Sequence, residues 1–283
     1  MGDRAVRARS ILGGATGKPA LDLSVVIVDY HSLGLLEGCI ASLRRSTQPL
    51  SCEIIVSSNS VYSNEEERQL QHVLADATLI HNGRNLGFAK AANIGIRESS
   101  GRWILLLNPD CRILTPNPDK AIRYLEENPE IGILGPRIVN AENEVQESHR
   151  QFTTPSALLF RVLKRFVRKE RYIVQDIMSN GKAQFVDWVS GACMLVRRSG
   201  IQKAGLLDER YFMYLEDTDW CRTFWKNGLQ VVYWPEMVVR HDASRVSSES
   251  LAEGSLNRLV WIHLASWIKF FVKNGFSARR RLD

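Results

Sequence analysis

The sequence predicts an α/β domain with a mostly parallel central sheet flanked by helices, on three observations. Apolar runs of strand length alternate with segments of helical spacing through the first half of the chain. The first of these runs, SVVIV, is β-branched from Val25 to Val28, as in a strand covered on both faces. Polar residues able to hold ligands fall just past the run ends, where open α/β sheets bind them.

The elements follow in order. Ser24 to Val28 is the first buried strand, and Leu35, Leu36, Ile40 and Leu43 then repeat on one side of a helix. A second strand is expected over Glu53 to Val56, a charged helix over Glu65 to Ala75, and a third strand over Thr78 to Ile80. NLGFAKAANIGIRESSG reads as a glycine turn entering a helix, and RWILLLN as the strongest strand of this half. Beyond it, Pro155 to Arg171 predicts a basic amphipathic helix, FVDWVSGACMLVRR two strands, and Glu216 to Asn227 a helix stopped by Gly228. LQVVYW and Met237 to Arg240 are further strands, and Ser255 to Lys273 a last helix. The division expected is a flexible basic arm (1–21), one catalytic domain (22–250) and a C-terminal amphipathic helix (251–283).

An apolar content of 45% in 283 residues suffices for one large core, and the formal charge of +6 suits anionic partners. Cys39, Cys52, Cys111, Cys193 and Cys221 are scattered without a CxxC pair, which excludes a cysteine zinc site or disulfide scaffold and fits a reducing cytoplasm. The N-terminal arm lacks the apolar stretch of a signal peptide. Its GGATGK is not a phosphate loop: Leu12 occupies the first glycine position, Pro19 follows Lys18, and no strand precedes it. No nucleic-acid recognition motif accompanies the positive charge, and the basic residues lie on apolar helices.

Three places could carry chemistry. In LLLNPDC, Asn108 and Asp110 follow a buried strand and could hold Mg²⁺ or Mn²⁺, although Asn-Pro-Asp is equally ordinary turn chemistry. In YFMYLEDTDWC, Glu216, Asp217 and Asp219 open a helix, where acids complement the dipole. Their aromatic neighbours Tyr211, Phe212, Tyr214 and Trp220 would also raise a carboxylate pKa and suit a general base. His241 closes a strand and is a candidate ligand or a structural histidine.

Taken together from Leu23 to Ser248, SVVIVDYHS, NLGFAKAANIG, LLLNPD and EDTDWC resemble the family-two inverting glycosyltransferases of the GT-A fold. VDWVSGACMLVRR followed by DERYFMYLED is similar to the bacterial rhamnosyltransferases of that family, which act on polyprenyl-diphosphate-linked glycans. The resemblance implies a nucleoside-diphosphate sugar donor, dTDP-rhamnose first and UDP-hexoses next, and a lipid-linked glycan acceptor in cell-surface polysaccharide or cell-wall synthesis. It assigns Asp217 as base with Glu216 beside it positioning the acceptor or the loop, and Asp110 as metal ligand with His241, which in some members joins the coordination. Asp29, Tyr30, Ser58, Asn59, Asn85, Gly87, Phe88, Asn93 and Asn108 fall at donor-binding positions, and Trp188 and Gly191 beside the acceptor. Ser58 replaces an aspartate common in the family, and Asp29 an asparagine. A catalytically silent nucleotide-sugar-binding relative is the alternative. A nucleotidyltransferase lacks its glycine-rich signature here.

Leu256 to Val272 is mostly apolar with a polar stripe, yet at about 1.5 Å per residue it reaches only about 25 Å, short of a roughly 30 Å hydrocarbon core. With Arg279, Arg280 and Arg281 behind it, it suits an anionic membrane surface on the cytoplasmic side, as does LLFRVLKRFVRKERY (Leu158 to Tyr172). The same faces would otherwise cover the protein's own core or a homodimer interface.

Overall fold

Strand β1 (Leu23–Asp29) lies at the middle of a four-strand parallel unit, because its alternate side chains have an apolar layer on each side. Val25 and Ile27 point into one core and Val26 into the other, the period of two expected of a strand. The computed structural model describes residues 21–115, 118–152, 181–242 and 255–275. The expected basic arm and the helix over Pro155 to Arg171 lie outside the described residues.

The first half alternates as the sequence predicts: α1 (Leu33–Ser46), β2 (Cys52–Ser58), α2 (Asn64–Leu74), β3 (Thr78–His81), α3 (Phe88–Glu98) and β4 (Trp103–Leu107). Helix α2 starts at a capping box, with Ser63 Oγ accepting from Glu66 N and the Glu66 carboxylate accepting from Ser63 N. Helix α3 seats directly on the sheet because Gly95 faces Val26, whose Cγ1 would lie 2.5 Å from any added Cβ.

Then follow β5 (Cys111–Ile113), α4 (Pro118–Glu127), β6 (Ile131–Val139), β7 (Val145–Gln146), β8 (His149–Arg150), β9 (Gln184–Phe185), β10 (Trp188–Val189) and β11 (Cys193–Arg197). The described chain closes with α5 (Arg198–Ala204), α6 (Glu216–Lys226), β12 (Gln230–His241) and α7 (Ser255–Asn274). The main sheet runs β3-β2-β1-β4-β11-β6-β12-β5, with β7 on β6 and β9 on β12. Strands β3, β2, β1 and β4 are parallel, as are β6 and β12, and β11 runs antiparallel between the two groups. Helices α1, α2 and α4 cover one face, and α3, α5, α6 and α7 the other.

One boundary differs from expectation. LQVVYW and Met237 to Arg240 form one strand, β12, whose register against β6 shifts between Trp234 and Val238. Pro235 falls in that interval and has no amide hydrogen for the ladder, so the chain bulges there and resumes pairing. The last helix covers part of the protein's own core, the alternative that its amphipathic face left open: Phe270 is 1% exposed and sits in the second core.

Candidate active site

The Asn108-Pro109-Asp110-Cys111 turn lies at the carboxyl end of β4. It closes through Cys111 N donating to Asn108 O at 3.0 Å, with proline in the second position where a type I turn favours it. Strand β5 then pairs antiparallel with β12, His241 opposite Cys111, and Asp242 N donates to Asp110 O at 3.1 Å. That pairing brings His241 Nε2 to 3.3 Å from Asp110 Oδ2 across 131 positions of chain. His241 Nδ1 meets Gln146 Oε1 at 3.3 Å, so a proton held on Nδ1 leaves the Nε2 lone pair facing Asp110.

The second carboxylate centre opens α6. Tyr214 and Leu215, just before it, both take left-handed backbone angles, φ 71° and 67°. Asp217 Oδ2 accepts from Gly191 N at 2.8 Å, and its Oδ1 from Thr218 N at 2.6 Å. Burial raises the Asp217 pKa while these amide donors pull it down. Glu216 is nearly inaccessible and its Oε2 has no hydrogen-bond partner. Burial first, and the Asp217 charge second, push its pKa up to about 8. Burial therefore raises both acids of the pair, and their surroundings differ: Asp217 is held by amide donors, whereas Glu216 keeps an oxygen without a partner.

Residues 190–192 join the two centres. Gly191 N holds Asp217, and Ala192 O accepts from Asn108 N at 2.9 Å and from the Cys111 thiol at 3.4 Å. Gly191 packs closely here, since an added Cβ would stand 3.3 Å from Asp217 Cβ. Thus NPD and LED are both tied to the short turn at residues 190–192, through Gly191 N on one side and Ala192 O on the other.

In front of this turn is a cleft of about 280 Å³. Asn108, Pro109 and Asp110 form its floor side, Asn85, Gly87 and Phe88 another, and Phe212 and Met213 reach it from the loop before α6. Val28, Tyr30, Ser32, Leu35 and Asn59 complete it. The Gly87 turn closes on the Phe212 loop through Phe88 N donating to Phe212 O at 2.8 Å. Gly87 has φ 84°, and an added Cβ would lie 2.4 Å from that same carbonyl oxygen.

Of the residues singled out in the sequence, Tyr30, Asn59, Asn85, Gly87, Phe88, Asn108 and Asp110 line this cleft. Asp29 and Ser58 do not. They face each other across β1 and β2, fully buried, and the Asp29 carboxylate accepts from Ser32 N and Oγ, Ser58 Oγ, Ser60 Oγ and Tyr62 OH. They brace the strand ends that carry Tyr30 and Asn59. Asn59 in turn fixes the glycine loop, donating to Gly87 O and accepting from Leu86 N. Asn93 is buried and tied to the Leu207 backbone, and Trp188 sits half-buried on β10 against the second core. Asp217 and Gly191 stand behind the cleft lining, one peptide from Ala192. Sequence reasoning missed Gln146, which orients His241, and Met213; neither has a local signal.

The residues at Asp110 fit a divalent cation. Asp110 Oδ1 is buried without a hydrogen-bond partner, and ligand atoms of Asp110, Cys111 and His241 lie within 4.8 Å of one another. Cys111 is the poor member: burial holds its thiol protonated well above its usual range, and it already donates to Ala192 O. Asp110 and His241 remain as carboxylate and imidazole.

Known proteins share the sequence pattern and the fold. The sequence pattern of Glycosyl transferase family 2 matches residues 24–204. An N-acetylglucosaminyl-diphospho-decaprenol L-rhamnosyltransferase of Mycobacterium tuberculosis is 31% identical over 237 residues, covering 77% of this chain and 75% of its own. A dTDP-rhamnosyl transferase of Shigella flexneri is 26% identical over 268 residues, covering 92% and 80%. Among solved structures, GalNAc-T7 with UDP, GalNAc and Mn²⁺ aligns with TM-score 0.60 at 16% identity, over 90% of this chain and 56% of that one. The Pyrobaculum calidifontis mannosyltransferase in complex with GDP-Man and Mn²⁺ aligns with TM-score 0.59 at 15% identity, over 91% and 66%. These structures show the GT-A fold, and the sequence match together with that fold makes this chain a member of glycosyl transferase family 2, a glycosyltransferase.

Proposed function

We propose that the protein is an inverting rhamnosyltransferase, moving rhamnose from dTDP-rhamnose to a hydroxyl of a polyprenyl-diphosphate-linked glycan. The observation that carries this reading is the turn at 190–192, which ties the candidate base Asp217 to the cleft wall at Asn108. The donor and acceptor are taken from the names of the Mycobacterium and Shigella relatives.

The reaction is a single in-line displacement. The acceptor oxygen bonds to the anomeric carbon as the bond from that carbon to the diphosphate oxygen breaks, and the diphosphate leaves with the electron pair. Asp217 receives the hydroxyl proton, a role worth about 10²–10⁴-fold in rate. Its amide bonds to Gly191 and Thr218 hold one geometry for that transfer. Glu216, beside it with a free buried oxygen, accepts a hydrogen bond from a second hydroxyl of the acceptor. Asp110 and His241 would hold Mg²⁺ or Mn²⁺, which when bound supplies positive charge to the diphosphate. The cleft residues Tyr30, Asn59, Asn85, Gly87 and Phe88 receive the nucleoside side of the donor.

A panel of nucleotide sugars tested for thermal stabilisation with Mn²⁺, followed by transfer to a prenyl-diphosphate N-acetylglucosamine, checks the assignment. The largest shift is expected from dTDP-rhamnose; a larger shift and transfer from a UDP-hexose would replace the donor. Absence of transfer from any donor would favour a silent nucleotide-sugar-binding relative.

The acceptor's lipid gives the outer side of α7 a use. Trp261, Leu264, Ile268 and Val272 are exposed there, at 68%, 46%, 57% and 81%, as one apolar stripe. No helix among the described residues is long and apolar enough to cross a membrane. We assign this stripe to the surface of an anionic membrane on its cytoplasmic side, with a second copy of the chain as the competing occupant.

A further inference from the structure

Helix α7 lies outside the 24–204 stretch that carries the family pattern, yet its inner side runs antiparallel along the loop leading to the acid pair. The contacts come about once per helical turn. Lys273 Nζ donates to Asp208 Oδ2 at 2.8 Å, Lys269 Nζ to Arg210 O at 2.6 Å, and Ser266 Oγ to Met213 O at 2.8 Å. His263 stacks on Tyr214 with ring centroids 4.6 Å apart. At the far side of the turn, Lys273 Nζ and Asn274 Nδ2 donate to the two oxygens of Asp219, at 2.6 and 2.7 Å, and that carboxylate is 1% exposed.

Between these anchors are Tyr214 and Leu215, in left-handed backbone conformations that L-residues rarely adopt. Each such residue is strained and persists only where its surroundings over-determine it. Helix α6 supplies no help, since Leu215 at its N-cap has no side chain able to cap the helix. The splinting helix therefore holds the turn from Met213 on one side and Asp219 on the other, with Asp217 in between.

We propose that α7 is a positioning element of the active site, its Ser266, Lys269 and Lys273 holding the strained Tyr214–Leu215 turn so that Asp217 stays on the Gly191 amide. This rests on the reading of Asp217 as the base. None of the three side chains is asked to touch the substrate. Their effect acts through the carboxylate, which sets them apart from residues that merely add stability.

The test pairs Ser266→Ala with Lys269→Met in the full chain, leaving Phe270 and the core face of α7 intact. Turnover at saturating acceptor is expected to fall at least ~10-fold while the affinity for dTDP with Mn²⁺ stays within about twofold. Hydrogen exchange is expected to rise in residues 209–217 and not in β1 or β4. Ser266→Thr, which keeps the hydroxyl, is expected to recover the loss due to position 266. In an Asp217→Asn background the same pair should cost no further turnover, because the group being positioned is gone. Unchanged turnover, a full additive loss in that background, or exchange rising equally across the sheet would each overturn the proposal. Should Asp217→Asn itself turn over normally, the base assignment fails by that result alone, and unchanged exchange at 209–217 would separately remove the splint.

Discussion

Asp217 and Glu216 are adjacent in sequence but have different surroundings, and their expected behaviour differs accordingly. Removing the basic oxygen in Asp217→Asn should leave dTDP affinity intact and lower kcat at least ~10²-fold, about 2.7 kcal/mol of barrier. Steady-state kinetics beside calorimetry separates these, and near-normal kcat would strike Asp217 from the mechanism. Glu216 retains its proton to higher pH in the folded protein than in the unfolded chain. Its favourable contribution is thus complete below the unfolded value of 4.5 and is lost as pH climbs toward about 8. Glu216→Gln has nothing to titrate, so its stability relative to the native protein should rise across that interval. Denaturant titrations at several pH values would show it, and a constant difference would mean that the buried acid is not so shifted. Asp110→Ala should abolish the Mn²⁺ dependence of dTDP binding; equal affinity with and without Mn²⁺ in both proteins would deny the metal assignment.

Among the elements, the loop from Asn82 to Phe88 shows how tightly the cleft wall is constrained. Asn59 holds it from one side and the Phe212 carbonyl from the other. Gly87→Ala forces an L-residue into φ 84° and drives a methyl into that carbonyl. The left-handed angle alone costs about 1–2 kcal/mol, so the total destabilisation should exceed that and dTDP binding should weaken with it. Chemical denaturation gives the first and calorimetry the second. A stability loss with unaltered dTDP affinity would show that the loop does not face the nucleotide. The α2 capping box is the contrasting case: neither Ser63 nor Glu66 lines the cleft, so Ser63→Ala should cost about 1 kcal/mol and leave turnover alone.

For the molecule as a whole, the parallel half was legible because β1 and β4 are continuous apolar runs and their partner helices carry a clear period. Strand β6 was not, although it is central and buried. IGILGPRIV contains two glycines and Pro136, which read as loop punctuation, and only pairing with β11 and β12 makes it a strand. The site divides along the same line. NPD and LED are visible because their chemistry lies within a few residues. The inward turn of Asp29 and Ser58 and the orienting bond from Gln146 depend on register between distant strands, which no local pattern encodes. The exposed stripe on α7 belongs here too. Full-length protein should float with vesicles of phosphatidylglycerol and phosphatidylcholine, and Trp261→Glu should reduce flotation. A protein that stays in solution but dimerises through this face would give the stripe to a second copy.

The turn at 190–192 leaves little latitude for drift. A change at Gly191 or Ala192 disturbs the proton-accepting side and the diphosphate side at once, so a variant seeking a new donor gains nothing by altering it. Retargeting by mutation should instead succeed at Tyr30, Phe212 and Met213, which line the cleft and take no part in the hydrogen bonds of that turn. A library confined to those three positions is where altered sugar preference is to be sought.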